Sequence, residues 1–287
     1  MSKQVPFTIK IFVADGDPDG LRVVERSNWT GKALIFPRAL YPQVRGRPEF
    51  QQTGVYLLLG PSADGNGEML YVGEGDPVKP RLEDHYVKKD FWTRAVFFVA
   101  PGQLNKAHVQ FLESRLVDLA GSAKRMTLDN GNKPMEPTLS EADRADLEVF
   151  LDNMLGVLPV LGVQAFEQNA GSIGPSNLVL FCKGRGVSAS GYETPQGFVV
   201  RSGSQAADSE TPSLKGFLIV GRTRAELQKK GVLVSKSGKL CFTQNYTFNS
   251  PSLASAVVLG RASNGRVDWK DAAGRTLKEH QHAQAEG

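Results

Sequence analysis

Apolar and polar residues follow two rhythms in the first half of the chain, and each rhythm predicts one kind of element. Residues 7–14 alternate as a half-buried strand does. The apolar runs 54–59 and 69–73 flank a turn rich in Gly, Asn and Asp and predict a β-hairpin, and residues 92–100 predict a third strand. Over residues 105–120 the apolar positions recur at helical spacing behind an asparagine N-cap. Together these segments predict an α+β fold.

The second half of the chain also predicts both helices and strands. A helix is predicted to begin at Ser140, in the style of a capping box, and to end before Pro159. Strands joined by Gly- and Ser-rich turns are predicted from Asn177 onward, followed by a helix with Pro251 in its first turn. These patterns predict a second, smaller domain that also mixes helices and strands.

The amino-acid composition argues against a membrane-spanning protein and against a Cys/His zinc protein. The 287 residues are 40% hydrophobic and 22% charged, as in ordinary soluble proteins. No apolar run approaches the roughly 20 residues that span a bilayer, and the first ten residues lack a secretory signal, so we expect a cytoplasmic protein without a membrane partner. With four histidines in all, Cys182 and Cys241 cannot form a Cys/His zinc cluster, and we expect buried free thiols.

Charge divides the chain unevenly. Residues 181–287 hold 15 Lys and Arg against 8 Asp and Glu, a balance of +7, whereas the remainder holds 19 against 22, a balance of −3. A positive C-terminal half suits the phosphate backbone of a nucleic acid. A solvated basic surface without a ligand explains the same charge equally well.

One set of residues carries candidate chemistry. Gly54-Val55-Tyr56 and Tyr71-Val72-Gly73 lie on the two hairpin strands, Arg81 and His85 lie one helical turn apart, and Glu113 lies within an apolar helical stretch. Two phenols, a guanidinium, an imidazole and a carboxylate suit a metal-assisted attack on a phosphodiester. Taken singly, each has an ordinary structural interpretation, as an interior aromatic ring, an exposed helix face or a surface charge.

Together these residues resemble the GIY-YIG nuclease family over Thr53 to Pro134, with Val in place of Ile in both tripeptides. The resemblance implies a three-stranded antiparallel sheet flanked by helices, and a metal-dependent DNA endonuclease, a hydrolase that uses Mg²⁺, for which Mn²⁺ can substitute. The residues implied as catalytic are Tyr56, Tyr71, Arg81, His85 and Asn130, with Asn132 as the alternative to Asn130. Glu113 is implied as the metal ligand.

The C-terminal segment resembles a small domain of uncharacterised function that accompanies such nucleases and restriction or adenine-methylase proteins. The signature is Phe248-Asn-Ser-Pro-Ser-Leu-Ala-Ser-Ala, followed by Asn264-Gly and Trp269. Basic side chains on both domains are the predicted DNA contacts: Lys79, Lys88, Arg222, Arg224, Lys229, Lys230, Arg261 and Arg266. We expect Trp269 to be a core residue rather than a base-stacking one.

The predicted organisation has five segments. They are an N-terminal strand and extension packing on the nuclease domain over 1–48, the GIY-YIG nuclease domain over 49–135, a helical linker over 136–176, a basic C-terminal DNA-binding domain over 177–275 and a polar tail over 276–287. The expected role is bacterial DNA restriction or defence. The alternatives are a repair or structure-specific nuclease, and a non-catalytic nucleic-acid-binding protein that retains the fold. A homodimer is compatible with cleavage of both DNA strands.

Overall fold

Contacts between residues divide the chain into the two units Met1–Gln168 and Asn169–Gly287. The computed structural model describes residues 6–62, 67–132, 134–166 and 178–285. Each unit contains both helices and sheets, so the predicted α+β class is confirmed.

A seven-stranded sheet forms the centre of the first unit. Its strands are β1 (Ile9–Val13), β2 (Arg22–Arg26), β3 (Lys32–Pro37), β4 (Gly54–Pro61), β5 (Glu68–Gly75), β6 (Arg94–Val99) and β7 (Thr127–Leu128). The helices of this unit are α1 (Tyr41–Val44), α2 (Val78–Lys88), α3 (Lys106–Ala123) and α4 (Glu141–Val157).

The sheet is larger than the predicted three-stranded one. Its strand order is β1-β2-β3-β6-β4-β5-β7, antiparallel except for the short parallel pair of β5 and β7. The predicted hairpin is β4 and β5, and the predicted third strand is β6, but β3 pairs along the free side of β6. The predicted N-terminal strand and extension thus contribute β1, β2 and β3 to the sheet itself.

Both faces of this sheet are buried at β4 and β6, which explains the continuous apolar runs of these strands. On one face, Val55 and Leu57 pack with α3 and α4. On the other, Tyr56 and Leu58 pack with α1 and α2. Alternate residues of one strand thus serve two cores, and Tyr56 belongs to the core beneath α2.

Local capping signals give the helix starts. The side chain of Asn105 accepts a hydrogen bond from the backbone N–H of His108, and the side chain of Ser140 accepts one from Asp143. The helix that Ser140 begins does not act as the predicted linker. Leu147, Phe150, Leu151, Met154 and Val157 of α4 are buried in the core beneath α3, because that apolar stripe completes the cover of the sheet.

The second unit contains two smaller sheets around one apolar core. Its strands are β8 (Leu180–Gly184), β9 (Val187–Thr194), β10 (Gly197–Val200), β11 (Gln205–Ala206), β12 (Leu233–Lys236), β13 (Lys239–Phe242), β14 (Tyr246–Phe248) and β15 (Trp269–Lys270). Its helices are α5 (Leu218–Lys229), α6 (Pro251–Leu259), α7 (Gly265–Asp268) and α8 (Leu277–Ala285). The sheet orders are β14-β10-β9-β8-β15 and β11-β13-β12.

The helix α6 lies in the centre of this unit, with Ala254, Val257 and Val258 fully buried. Trp269 is 0% exposed, donates from Nε1 to the carbonyl of Pro251 at 3.0 Å and packs on Phe198. The expectation of a core tryptophan is confirmed.

Within the predicted polar tail, Leu277–Ala285 form the helix α8. Leu277 of α8 is buried in the core of the second unit. His280 Nε2 lies 2.8 Å from a carboxylate oxygen of Asp271. The segment is a docked helix because one apolar side chain and one side-chain hydrogen bond hold it. Both cysteines are free thiols, with Cys182 buried and Cys241 half-buried.

Candidate active site

Two tyrosines meet on the face of the sheet beneath α2. In the register of β4 and β5, Tyr56 lies opposite Gly73 and Leu58 lies opposite Tyr71. The tyrosines are therefore diagonal neighbours on one face, with ring centroids 6.3 Å apart. Tyr56 is fully buried and Tyr71 half-buried. The side chains form a hydrogen bond with each other.

Gly73 makes room for this arrangement. A Cβ atom at position 73 would lie 2.3 Å from the hydroxyl oxygen of Tyr56 and 2.4 Å from the ring carbon that bears it. The phenol of Tyr56 therefore lies directly across the backbone of β5. Any larger residue at this position would displace it.

The helix α2 places His85 and Arg81 over the tyrosines. His85 is buried, and its Nε2 atom lies 2.8 Å from the hydroxyl of Tyr56. Burial, followed by the positive charges of Arg81 and Lys89, lowers the pKa of His85 to about 4. The imidazole is therefore neutral at pH 7, where Nε2 can accept the hydroxyl proton of Tyr56 in a hydrogen bond.

Arg81 lies one turn earlier on the same face, at the solvent-exposed side of the cluster. Its side chain is hydrogen-bonded to Tyr56. Burial, and then the neighbouring Tyr71, raise the pKa of the Tyr56 hydroxyl well above its ordinary value, whereas Arg81 acts in the opposite direction. The guanidinium is thus anchored at one end and open to solvent.

Glu113 of α3 completes the cluster from the other side of β5. Burial, and then the like charge of Glu74, raise the pKa of Glu113 to about 7, and the opposing effects of Arg81 and Lys106 do not offset them. Glu74 itself is held by Lys106, whose Nζ lies 2.5 and 2.7 Å from the two carboxylate oxygens. The half-buried carboxylate of Glu113 is therefore short of positive charge.

This deficit fits a divalent cation held in part by its substrate. Mg²⁺ is commonly bound by one or two carboxylates together with water and phosphate oxygens. Glu113, with Glu74 beside it, matches that pattern. Among the residues that the structure describes, no three His, Cys, Asp or Glu side chains form a complete metal cage. Glu113 would be the protein ligand, as predicted, and phosphate and water would supply the remaining ligands.

Asn130 lies at the edge of β5 beyond β7. Its Oδ1 accepts from the backbone N–H of Val72 at 3.0 Å, and its Nδ2 donates to the carbonyl of Val72 at 2.8 Å. The amide side chain of Asn130 thus makes the two hydrogen bonds to Val72 that the backbone of a neighbouring strand would otherwise make. It fixes the strand segment between Tyr71 and Gly73. Asn132 is exposed.

Sequence reasoning missed Lys89 as part of this cluster. Its Nζ lies 4.4 Å from the centre of the Tyr71 ring and 2.5 Å from a carboxylate oxygen of Asp129. The only sign in the sequence was its position one turn after His85. Asp129 lies beside Lys89 only because the chain returns along β7, and local sequence patterns do not predict that return.

The predicted DNA contacts differ widely in exposure. Arg224 is 3% exposed, its guanidinium donates to the carbonyls of Val257 and Ala207, and its Nε lies 3.2 Å from Glu210. The prediction that Arg224 contacts DNA is corrected, because this side chain joins α5 to α6 and to the loop after β11.

The other basic residues lie nearer the surface. Lys88 forms an ion pair with Asp84 at 2.6 Å, Lys230 with Glu226 at 2.5 Å and Arg261 with Asp268 at 3.2 Å. Arg222, Lys229 and Arg266 are exposed, and Lys79 is half-buried. Exposure suits phosphate contact, and the ion pairs would have to open for it.

Fold and site together define an α+β protein with a polar cluster at the edge of its first sheet. Residues 180–281 match the family model described as Domain of unknown function (DUF4357), which supports the predicted resemblance of the C-terminal segment to such a domain. No GIY-YIG family model matches the chain. No curated protein and no solved structure matches it either. Within the described ranges, none of the helices has the length and apolarity to cross a bilayer.

Proposed function

We propose that the N-terminal unit is a GIY-YIG endonuclease that hydrolyses phosphodiester bonds of DNA with Mg²⁺. The observation that supports this most strongly is the hydrogen-bonded chain from Tyr71 through Tyr56 to His85, with the charges of Arg81 and Glu113 acting on both tyrosines. This cluster joins the hydroxyl of Tyr56, the guanidinium of Arg81 and the carboxylate of Glu113. A positioned hydroxyl, a positive charge and a metal-binding carboxylate are the groups that phosphodiester hydrolysis needs.

Arg81 would bind the scissile phosphate. Its guanidinium is always charged, and its planar set of donors matches two phosphate oxygens. Because it is exposed while remaining hydrogen-bonded to Tyr56, it can receive a ligand without losing its orientation. In the transition state it would stabilise the charge that grows on the phosphorus-bound oxygens.

The tyrosines would orient the attacking water. The hydroxyl of Tyr56 is hydrogen-bonded to neutral His85, to Arg81 and to Tyr71. The half-buried Tyr71 is the member of this chain nearest to solvent. The hydroxyl of Tyr71 would therefore be the one that forms a hydrogen bond with the attacking water.

Glu113 would hold Mg²⁺, and Glu74 would add to the negative potential there. When bound, the ion would supply positive charge beside the phosphate. Lys106 keeps Glu74 in place at one side of this region.

DNA as the polymer is supported by charge. The second half of the chain carries the positive excess, and Arg222, Lys229 and Arg266 lie on its surface. Phosphate contacts of this kind supply affinity without reading sequence.

The test is plasmid cleavage by the full chain in Mg²⁺ and in EDTA. E113Q and R81A should each lower the rate by about 100-fold or more while thermal unfolding shows a folded protein. R144A is the matched control, because Arg144 lies on α4 in an ion pair with Glu136. Its rate should equal that of the wild type.

Absence of any product that requires Mg²⁺, or equal cleavage by wild type and E113Q, would reject the proposal. Comparing methylated with unmethylated plasmid, and forked or nicked DNA with linear duplex, distinguishes a restriction role from a repair role. DNA affinity without product in all of these would favour the non-catalytic alternative.

A further inference from the structure

Among the described residues, no strand pairs with the outer edge of β1, which ends the large sheet. Ile11 is 43% exposed and Phe12 is 63% exposed, on opposite faces of the strand. Such an edge is a template for another strand, and proteins usually protect it with charges, proline or a bulge. The register of β1 with β2 contains no bulge, and Lys10 is the only charged residue of the strand.

The hydrogen bonds of β1 show which backbone groups face outward. The carbonyl of Thr8 accepts from Ser27 N–H, and the N–H of Ala14 donates to the carbonyl of Leu21, both at 2.9 Å. Since bonded and non-bonded residues alternate in an antiparallel pair, the even-numbered residues are bonded to β2. The N–H and C=O groups of Ile9, Ile11 and Val13 therefore point away from the sheet.

Other sheet edges in the described ranges are shorter. They are β7, β11, β12, β14 and β15, with two to four residues each, compared with five in β1. Only β1 combines an outward ladder of three residues with large apolar side chains exposed on both faces.

We propose that β1 pairs with β1 of a second copy of this chain, antiparallel about a two-fold axis at Ile11. Each copy would then donate three N–H groups, from Ile9, Ile11 and Val13, and accept three. The seven strands of one copy would continue into the seven of the other. This inference does not depend on the proposed nuclease activity.

The side chains of β1 complement those of a second copy of β1, and this is why we choose a second copy as the partner and Ile11 as the axis. In this register Ile11 lies opposite its copy, Ile9 lies opposite Val13, and Lys10 lies opposite Phe12, so that the lysine stem and charge meet an aromatic ring. Shifting the axis to Lys10 would place two ammonium groups opposite each other. Shifting it to Phe12 would leave two residue pairs hydrogen-bonded instead of three.

Disulfide cross-linking tests the register. In a hydrogen-bonded antiparallel pair the Cα atoms are about 5.5 Å apart, within reach of a disulfide. I11C should therefore form a covalent dimer under mild oxidation, with a disulfide between two copies of residue 11 in the mass spectrum. F12C should remain unlinked, because two copies of residue 12 lie beyond about 7 Å. A linked F12C with an unlinked I11C would overturn the proposed register.

Sedimentation tests the association itself. The 31.2 kDa chain should show a concentration-dependent equilibrium with a species of twice that mass. I11P removes one outward N–H and leaves the bonds to β2 intact, so it should weaken dimerisation about tenfold or more while thermal unfolding stays close to that of the wild type. A wild-type chain that remains monomeric at every concentration, with I11C unlinked, would overturn the proposal.

Discussion

Replacing Glu113 with glutamine should stabilise the first unit at alkaline pH. Burial and the neighbouring carboxylate of Glu74 raise the pKa of Glu113 to about 7, from the ordinary value of about 4.3 in the unfolded chain. The folded state therefore binds more protons than the unfolded state between these values. Stability from this residue is fully present below about pH 4 and is lost as pH rises through 7.

The size of the effect follows from that difference. Ionising Glu113 in the folded state costs at most about 4 kcal/mol, at about 1.4 kcal/mol per pKa unit. Because the carboxylate is half-buried rather than fully enclosed, solvent screening reduces the expected gain to about 1–2 kcal/mol. Glutamine keeps the shape and removes the charge, so E113Q should exceed the wild type by this amount at pH 8 and match it near pH 4.5.

Hydrogen exchange measures the stability of the first unit separately from that of the second. It is followed by mass spectrometry on peptides from β4 and β5, in EDTA. E25Q is the control, since Glu25 is half-exposed beside Lys32 and should change stability by less than about 0.5 kcal/mol at both pH values. Adding Mg²⁺ should slow exchange in the wild type and leave E113Q unchanged. An E113Q protein that is less stable than the wild type at pH 8 would refute the reasoning.

Three further substitutions test contacts that we expect to stabilise the two units. G73A should lower the unfolding free energy by about 1–3 kcal/mol in urea titration, because its Cβ displaces a buried phenol, whereas G131A, where a Cβ meets nothing within 4 Å, should be near neutral. N130D should cost about 1–3 kcal/mol by the same measurement, since it loses the donor to a strand carbonyl, and N132D is its control. Burial opposes ionisation of Asp271, but hydrogen bonds bring its pKa down to about 2, so D271N should lower the melting temperature at pH 7 and reduce the loss of stability between pH 4 and 2.

Local patterns were enough to predict the elements around the site. The continuous apolar run of β4, the returning strand β5 and the capping asparagine at position 105 are properties of neighbouring residues, and the structure has them where the sequence puts them. The helix face shared by Arg81 and His85 follows from a spacing of four residues.

Contacts between distant segments could not be predicted in this way. The pairing of β3 with β6 joins segments about sixty residues apart, and nothing in either strand names its neighbour. Arg224 has the charge of a DNA contact, yet carbonyls from α6 and from the loop after β11 surround it. Asn130 was singled out from the sequence, but the backbone of Val72 that it holds is visible only when the sheet edge is built.

The electrostatics of His85 decide between two roles that its position allows. A histidine that stored a proton during the reaction would need a pKa near neutral, whereas burial and the charges of Arg81 and Lys89 bring the pKa of His85 to about 4. Protonating it at pH 7 would cost about 4 kcal/mol. Accepting a hydrogen bond from Tyr56 carries no such cost. Within the proposed mechanism, His85 is therefore a neutral hydrogen-bond partner that holds the hydroxyl of Tyr56 in place and does not store a proton.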